Sequence, residues 1–89
     1  MNMNDRWLVK LYITEIDGQT HAEARLVMPD EGELSGRGEA RRNPADREIT
    51  QAGEQIAAAR ALSDLAGKLL HTAATSIENM THERAHLHR

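Results

Sequence analysis

The sequence predicts an α+β fold: a three-stranded antiparallel β-meander followed by one long C-terminal α-helix. Three observations carry this. Short segments before residue 42 alternate apolar and polar side chains; Ala and Leu recur at helical spacing from about Gln51 to Met80; and Arg41-Arg42-Asn43-Pro44-Ala45-Asp46 separates the two regimes. Eighty-nine residues make a single domain over 1–89. Its strands are expected within 6–42, a turn over 43–50, the helix over about 51–81, and a flexible tail over 82–89.

Trp7 to Thr14 reads as the first strand, rich in β-formers, and Asp17-Gly18 is the dipeptide that tight hairpins prefer. A two-residue turn sets Ile16 against Gln19. Counting back then places Ile13 opposite Ala22, Leu11 opposite Ala24 and Val9 opposite Leu26, so one face of the hairpin is apolar throughout. Pro29-Asp30-Glu31-Gly32 is a second turn, and Leu34 to Arg41 a third strand. The inward positions of that strand, Leu34, Gly36, Gly38 and Ala40, are mostly small. They match a helix offering Ala57, Ala58, Ala59 and Ala61, which points to close helix-on-sheet packing rather than a phosphate loop.

The outward face carries Lys10, Tyr12 and Thr14, then His21, Glu23 and Arg25, then Ser35, Arg37, Glu39 and Arg41. Pairing Leu26 with Leu34 sets Glu23 opposite Arg37 and His21 opposite Glu39, each pair worth a few tenths of a kcal/mol. Lys10 faces Arg25, a mildly unfavourable pair. The plain reading is a solvated mixed-charge face. The sharper one is a partner surface of Lys10, Tyr12, Arg25, Arg37, Arg41 and Arg42 for an anionic partner such as RNA.

The helix is expected to open at Thr50 or Gln51. Its apolar stripe is Leu62, Ala66, Leu69, Ala73 and Ile77, widened by Ile56, Leu65, Leu70 and Met80. Thr75-Ser76-Ile77-Glu78 matches a capping box, a possible break. Unbroken, such a helix is about 45 Å long against about 27 Å for the strands. The excess must bend, overhang or pack on a second subunit. That mismatch, with two sheet edges to protect, predicts a homodimer.

Composition narrows the function classes. Without cysteine there are no disulfides, thiol chemistry or Cys-based zinc sites. No apolar run approaches the roughly 20 residues that span a bilayer, and the polar start lacks a signal peptide's apolar stretch, so the expected location is cytoplasmic. Net charge is -3; residues 1–48 carry 7 basic and 10 acidic side chains and residues 49–89 carry 4 of each. The strongly basic footprint of a nucleic-acid binder is missing.

His82-Glu83-Arg84-Ala85-His86 spells the H-E-x-x-H of zinc metalloproteases, but little chain follows to supply a third ligand or a cleft. It is read as incidental, with His88 adding at most to adventitious metal affinity. His71 is expected to be a partly buried structural residue. Ser63 and Asp64 lack a positioned His, and Asp30, Glu31 and Glu33 lack the spacing of a calcium loop. The expectation is no enzyme, no cofactor and no metal.

Several blocks together resemble a known family: Trp7 to Ile16 with the Asp17-Gly18 turn, Thr20 to Leu26, Gly36 to Arg41, Asn43-Pro44-Ala45-Asp46, Gly53-Glu54, Ala59 to Ala66 and Ile77 to Glu83. They are similar to small actinobacterial proteins grouped as a domain of unknown function with a dsRBD-like β-β-β-α fold. The resemblance implies that fold, a dimer, and an association with dormancy or stress among mycobacterial members. The shape also resembles that of ribosome hibernation factors, which bind ribosomal RNA without catalytic residues. Double-stranded RNA readers, however, carry a Lys cluster at the start of their last helix. The corresponding stretch here, Gln51 to Arg60, offers only Arg60.

Two functions follow as expectations. One is a non-enzymatic homodimeric stress or dormancy adaptor acting through protein contacts, with no small-molecule substrate and no membrane. The other is a ribosome- or RNA-associated factor using the basic residues of the sheet.

Overall fold

The computed structural model describes residues 6–29, 32–41 and 50–81. Four elements follow in order: β1 (Leu8–Ile16), β2 (Gln19–Met28), β3 (Gly32–Arg41) and α1 (Thr50–Thr81). The strands form one antiparallel sheet in the order β1-β2-β3. Asp17 and Gly18 take φ of 51° and 75°, the positive pair of a type I′ turn. The expected register holds throughout: Ile16 faces Gln19, Leu11 faces Ala24, Leu26 faces Leu34 and His21 faces Glu39.

Boundaries moved slightly. β1 starts at Leu8 and runs to Ile16, because the tight turn lets the ladder continue to its last pair. β3 starts two residues before Leu34, where Gly32, with φ of 85°, pairs with Met28. α1 is continuous across Thr75, so the capping-box letters do not mark a break. Its 32 residues give about 48 Å of helix, against about 33 Å for a ten-residue strand.

The helix lies on β3 and β2, running opposite to β3. The contact is backbone-close at two glycines. A Cβ on Gly36 would come within 2.8 Å of Leu65 Cα and nearer still to the Ala61 carbonyl oxygen. One on Gly38 would lie 2.6 Å from Arg60 Cβ and nearer still to the Ala57 carbonyl oxygen. Only glycine fits at either place. The core consists of Ala22, Ala24, Leu26 and Met28 of β2, Ala40 of β3, and Ala57, Ala61 and Leu65 of α1, with Leu34 and Leu69 packed against it. Ala58 is only half-buried and Ala59 is exposed, so two of the four expected helix alanines make the close contact.

One expectation needs correcting. The apolar face of β1 was expected to point into the core, yet Val9, Leu11 and Ile13 remain 44%, 42% and 41% exposed. The helix is drawn tightly over Gly36 and Gly38, so it packs mainly on β3 and β2 and touches β1 only slightly. Of the apolar helix stripe, Leu69 packs against the core, while Ala57, Ala61 and Leu65 make the buried contact with the sheet. The expected 43–50 turn and 82–89 tail lie outside the described residues.

Candidate functional site

Three surfaces qualify as candidates: the outward sheet face, the free edge of β3, and the half-exposed inner face of β1. On the outward face the register aligns rows across the sheet: Lys10–Arg25–Ser35, Tyr12–Glu23–Arg37, Thr14–His21–Glu39 and Ile16–Gln19–Arg41. Of the six expected partner-binding residues, Lys10, Tyr12, Arg25, Arg37 and Arg41 therefore share one face, and Arg42 lies outside the described residues. The cations are interleaved with acids. Arg25 Nη2 sits 2.8 Å from Glu23 Oε1, and its guanidinium lies 5.0 Å from the Tyr12 ring centroid, within cation–π range. Glu23 thus takes Arg25 from its own strand. His21 Nδ1 lies 3.3 Å from Glu39 Oε1, and Gln19 Nε2 donates to Glu39 Oε2 at 3.2 Å. Glu23 and Glu39 thus engage Arg25, His21 and Gln19 on this face.

The edge of β3 is closed by the helix. Arg60 Nη1 donates to the Glu39 carbonyl at 2.6 Å, the Arg37 backbone N–H donates to Asp64 Oδ2 at 2.9 Å, and Lys68 Nζ donates to the Ser35 carbonyl at 2.8 Å. The geometry explains the fit. Four helix residues rise about 6.0 Å and two strand residues advance about 6.7 Å, so an i, i+4, i+8 series on an opposed helix meets alternate strand residues. Lys68 also pairs with Asp64 at 3.2 Å. Donor, acceptor and donor stand where a further strand would bond, so three groups of the edge's pairing template are occupied. The i, i+4, i+8 spacing of Arg60, Asp64 and Lys68 was visible in the sequence and its role was missed.

Beside this ladder an open groove of about 620 Å³ is lined by residues that include Ser63, Asp64, Lys68 and His71. His71 is exposed, not partly buried as expected. A Ser–His–Asp reading fails on geometry. His71 is eight residues from Ser63 and seven from Asp64 on one straight helix, about 12 Å and 10 Å of axial rise, beyond hydrogen-bond reach. Asp64 is already engaged by Arg37 and Lys68. No group of three or more metal-ligating side chains occurs among the described residues; His82, His86 and His88 lie outside them. No helix among them is long and apolar enough to cross a membrane.

The third surface is apolar. Helix positions advance about 100° per residue, so with Ala61 facing the sheet, Arg60 and Asp64 fall on the flank toward the β3 edge. Leu62, Ala66, Leu69 and Ala73 fall on the other flank, overlooking β1. Leu62 and Ile77 are each 42% exposed and Met80 is 84% exposed. Val9, Leu11 and Ile13 of β1, each 41–44% exposed, and this helix flank are the half-exposed apolar parts on the β1 side of the molecule, here called the trough. The two parts are far apart in the sequence.

Fold and surfaces together define a small β-β-β-α module with a mixed-charge outer sheet face, a half-exposed apolar β1 side, and no assembled catalytic constellation among the described residues. Residues 5–86 match the Rv2632c-like family, and the chain belongs to that family. An uncharacterised protein of Mycobacterium bovis, Mb1767, is 44% identical over 81 residues, covering 91% of this chain and 85% of that one. The uncharacterised Mycobacterium tuberculosis protein Rv2632c is 41% identical over 75 residues, covering 84% and 80%. The crystal structure of Rv2632c superposes with a TM-score of 0.83 at 38% identity, covering 92% of this chain and 96% of that chain.

Proposed function

We propose that this protein is a non-enzymatic homodimeric adaptor that acts through protein contacts, in the stress or dormancy setting that the family resemblance suggests. The observation that carries this reading is the trough. Val9, Leu11 and Ile13 of β1, with Leu62 and Ile77 of α1, are large apolar side chains left more than 40% exposed on a domain with a small core. Surfaces of this kind mark interaction sites. Its occupant is a second copy of the chain, because a helix longer than its own sheet and a half-exposed apolar strand are complementary needs, and a two-fold axis satisfies both at once.

The RNA reading draws less support. Arg25 is held by Glu23 and Tyr12, acids alternate with the sheet cations, and the chain carries a net charge of -3. Phosphates would meet a face on which carboxylates stand among the cations.

The experiment is a charge scan read by sedimentation equilibrium. Leu11→Glu, in the trough, is expected to give a folded monomer, while Thr14→Glu, on the opposite face, leaves the dimer intact. Dimers of equal affinity from both variants would remove the trough from the interface.

A further inference from the structure

The flank of α1 that overlooks β1 has the spacing of a helix-pairing seam. Leu62, Ala66, Leu69 and Ala73 follow at steps of four, three and four, and Ile77 and Met80 continue the row. This is the narrow a/d pattern by which one helix packs against another, distinct from the broader stripe that a helix lays on a sheet. The sheet is met chiefly by Ala57, Ala61 and Leu65, with Leu69 at the margin between core and seam. None of the charged residues between Leu62 and Met80, namely Asp64, Lys68 and Glu78, falls on the seam flank when positions are advanced by about 100° each.

We propose that two copies pair antiparallel along this seam, with the two-fold axis passing between Leu69 and Ala73, so that the C-terminal overhang of each α1 lies beside β1 of the other. The inference rests on the homodimer reading and specifies its register. Side-chain volume selects that register. Antiparallel pairing about this axis sets Leu69 against Ala73 of the second copy, Ala66 against its Ile77, and Leu62 against its Met80. At the two central layers a large side chain meets a small one, which allows close interdigitation. At the outer layer the flexible Met fills the space beside Leu62.

The same operation resolves both mismatches of the single chain. On the spacing of the Arg60–Asp64–Lys68 series, Thr72 is level with Glu33, so the turns of α1 past Ala73 run beyond the start of β3 at Gly32, and Ile77 and Met80 stay exposed. The helix touches β1 only slightly, and Val9, Leu11 and Ile13 stay half-exposed. In the paired arrangement each overhang runs along the β1 side of the other subunit, next to these residues. The Arg60–Asp64–Lys68 ladder lies on the opposite flank and is undisturbed.

The chain contains no cysteine, so introduced thiols report without background. In the proposed register Ala66 faces Ile77 of the second copy, whereas Ala66 lies about 16 Å from its own equivalent, and also about 16 Å from Ile77 within one helix. A full-length variant carrying both Ala66→Cys and Ile77→Cys is therefore expected to oxidise to a covalent dimer. Either single variant stays unlinked. Unchanged thermal unfolding of the reduced double variant shows that the fold is intact. If the native chain sediments as a dimer and the double variant does not cross-link, or if either single variant does, this register is wrong while the homodimer reading stands. A native chain that sediments as a monomer at tens of micromolar overturns both.

Discussion

The carbonyl oxygen of Ala57 occupies the space that a Cβ on Gly38 would need. That contact sets the position of α1 over the sheet. Drawn onto Gly36 and Gly38, the helix sits mainly over the β2–β3 half, locks its charged flank onto the β3 edge and leaves the apolar side chains of β1 half-exposed.

Gly38→Ala and Gly36→Ala should therefore be severely destabilising. The added methyl meets helix backbone, which has no rotamer by which to move aside, so the cost should reach or exceed about 3 kcal/mol, the upper end for overpacking. Gly53→Ala is the control. Its Cβ would meet only Thr20 Oγ1, at 3.4 Å, and the helix gains up to about 1 kcal/mol of propensity. Thermal unfolding followed by far-ultraviolet circular dichroism should place the two β3 variants well below the native midpoint, and Gly53→Ala at or above it.

The edge ladder gives a second expectation. Asp64→Ala removes the acceptor of the Arg37 N–H and should cost about 1 kcal/mol, limited by the exposure of the site. Combining Arg60→Ala, Asp64→Ala and Lys68→Ala should do more than lower the midpoint. With its carbonyls and N–H groups uncovered, β3 becomes a template for strand pairing, and light scattering should rise with protein concentration.

Legibility in the sequence followed the range of the interaction. The hairpin was readable because Asp17-Gly18 and the alternation from Val9 to Leu26 fix one register independently. The small inward residues of β3 and the helix alanines were readable as a close contact because both partners show the same lack of bulk. The choice of which half of the sheet the helix covers was not. It depends on Gly36 and Gly38 acting together with Arg60, Asp64 and Lys68, a balance between two flanks of one helix that periodicity alone does not resolve. For the same reason the apolar helix stripe was readable as a stripe, but not that only Leu65 and Leu69 of it reach the core beside Ala57 and Ala61. The rows of the outward face were foreseen, but not the capture of Glu23 by Arg25 from its own strand.

The turn supplies a third test. Asp17 and Gly18 both hold positive φ, which costs a β-branched residue about 1–2 kcal/mol and Asn little. Asp17→Asn should unfold at the native midpoint, and Gly18→Val should unfold about 1–2 kcal/mol earlier on chemical denaturation.

Charge reversal addresses the lesser reading. With the cations of the outward face interleaved with Glu23 and Glu39, the protein should stay in the supernatant when ribosomes from stationary-phase lysate are pelleted, at low and at high salt. Arg25→Glu with Arg37→Glu should change nothing. Salt-sensitive recovery in the pellet, lost in that double variant, would restore the RNA reading.

The most direct measurement is sedimentation velocity of the unmodified chain at about 10 μM, in low and in high salt, a concentration well above the dissociation constants of stable dimers. The account predicts a species of twice the 9.9 kDa chain mass in both conditions, because the joining surface is apolar and responds little to ionic strength. A single species at 9.9 kDa would contradict it.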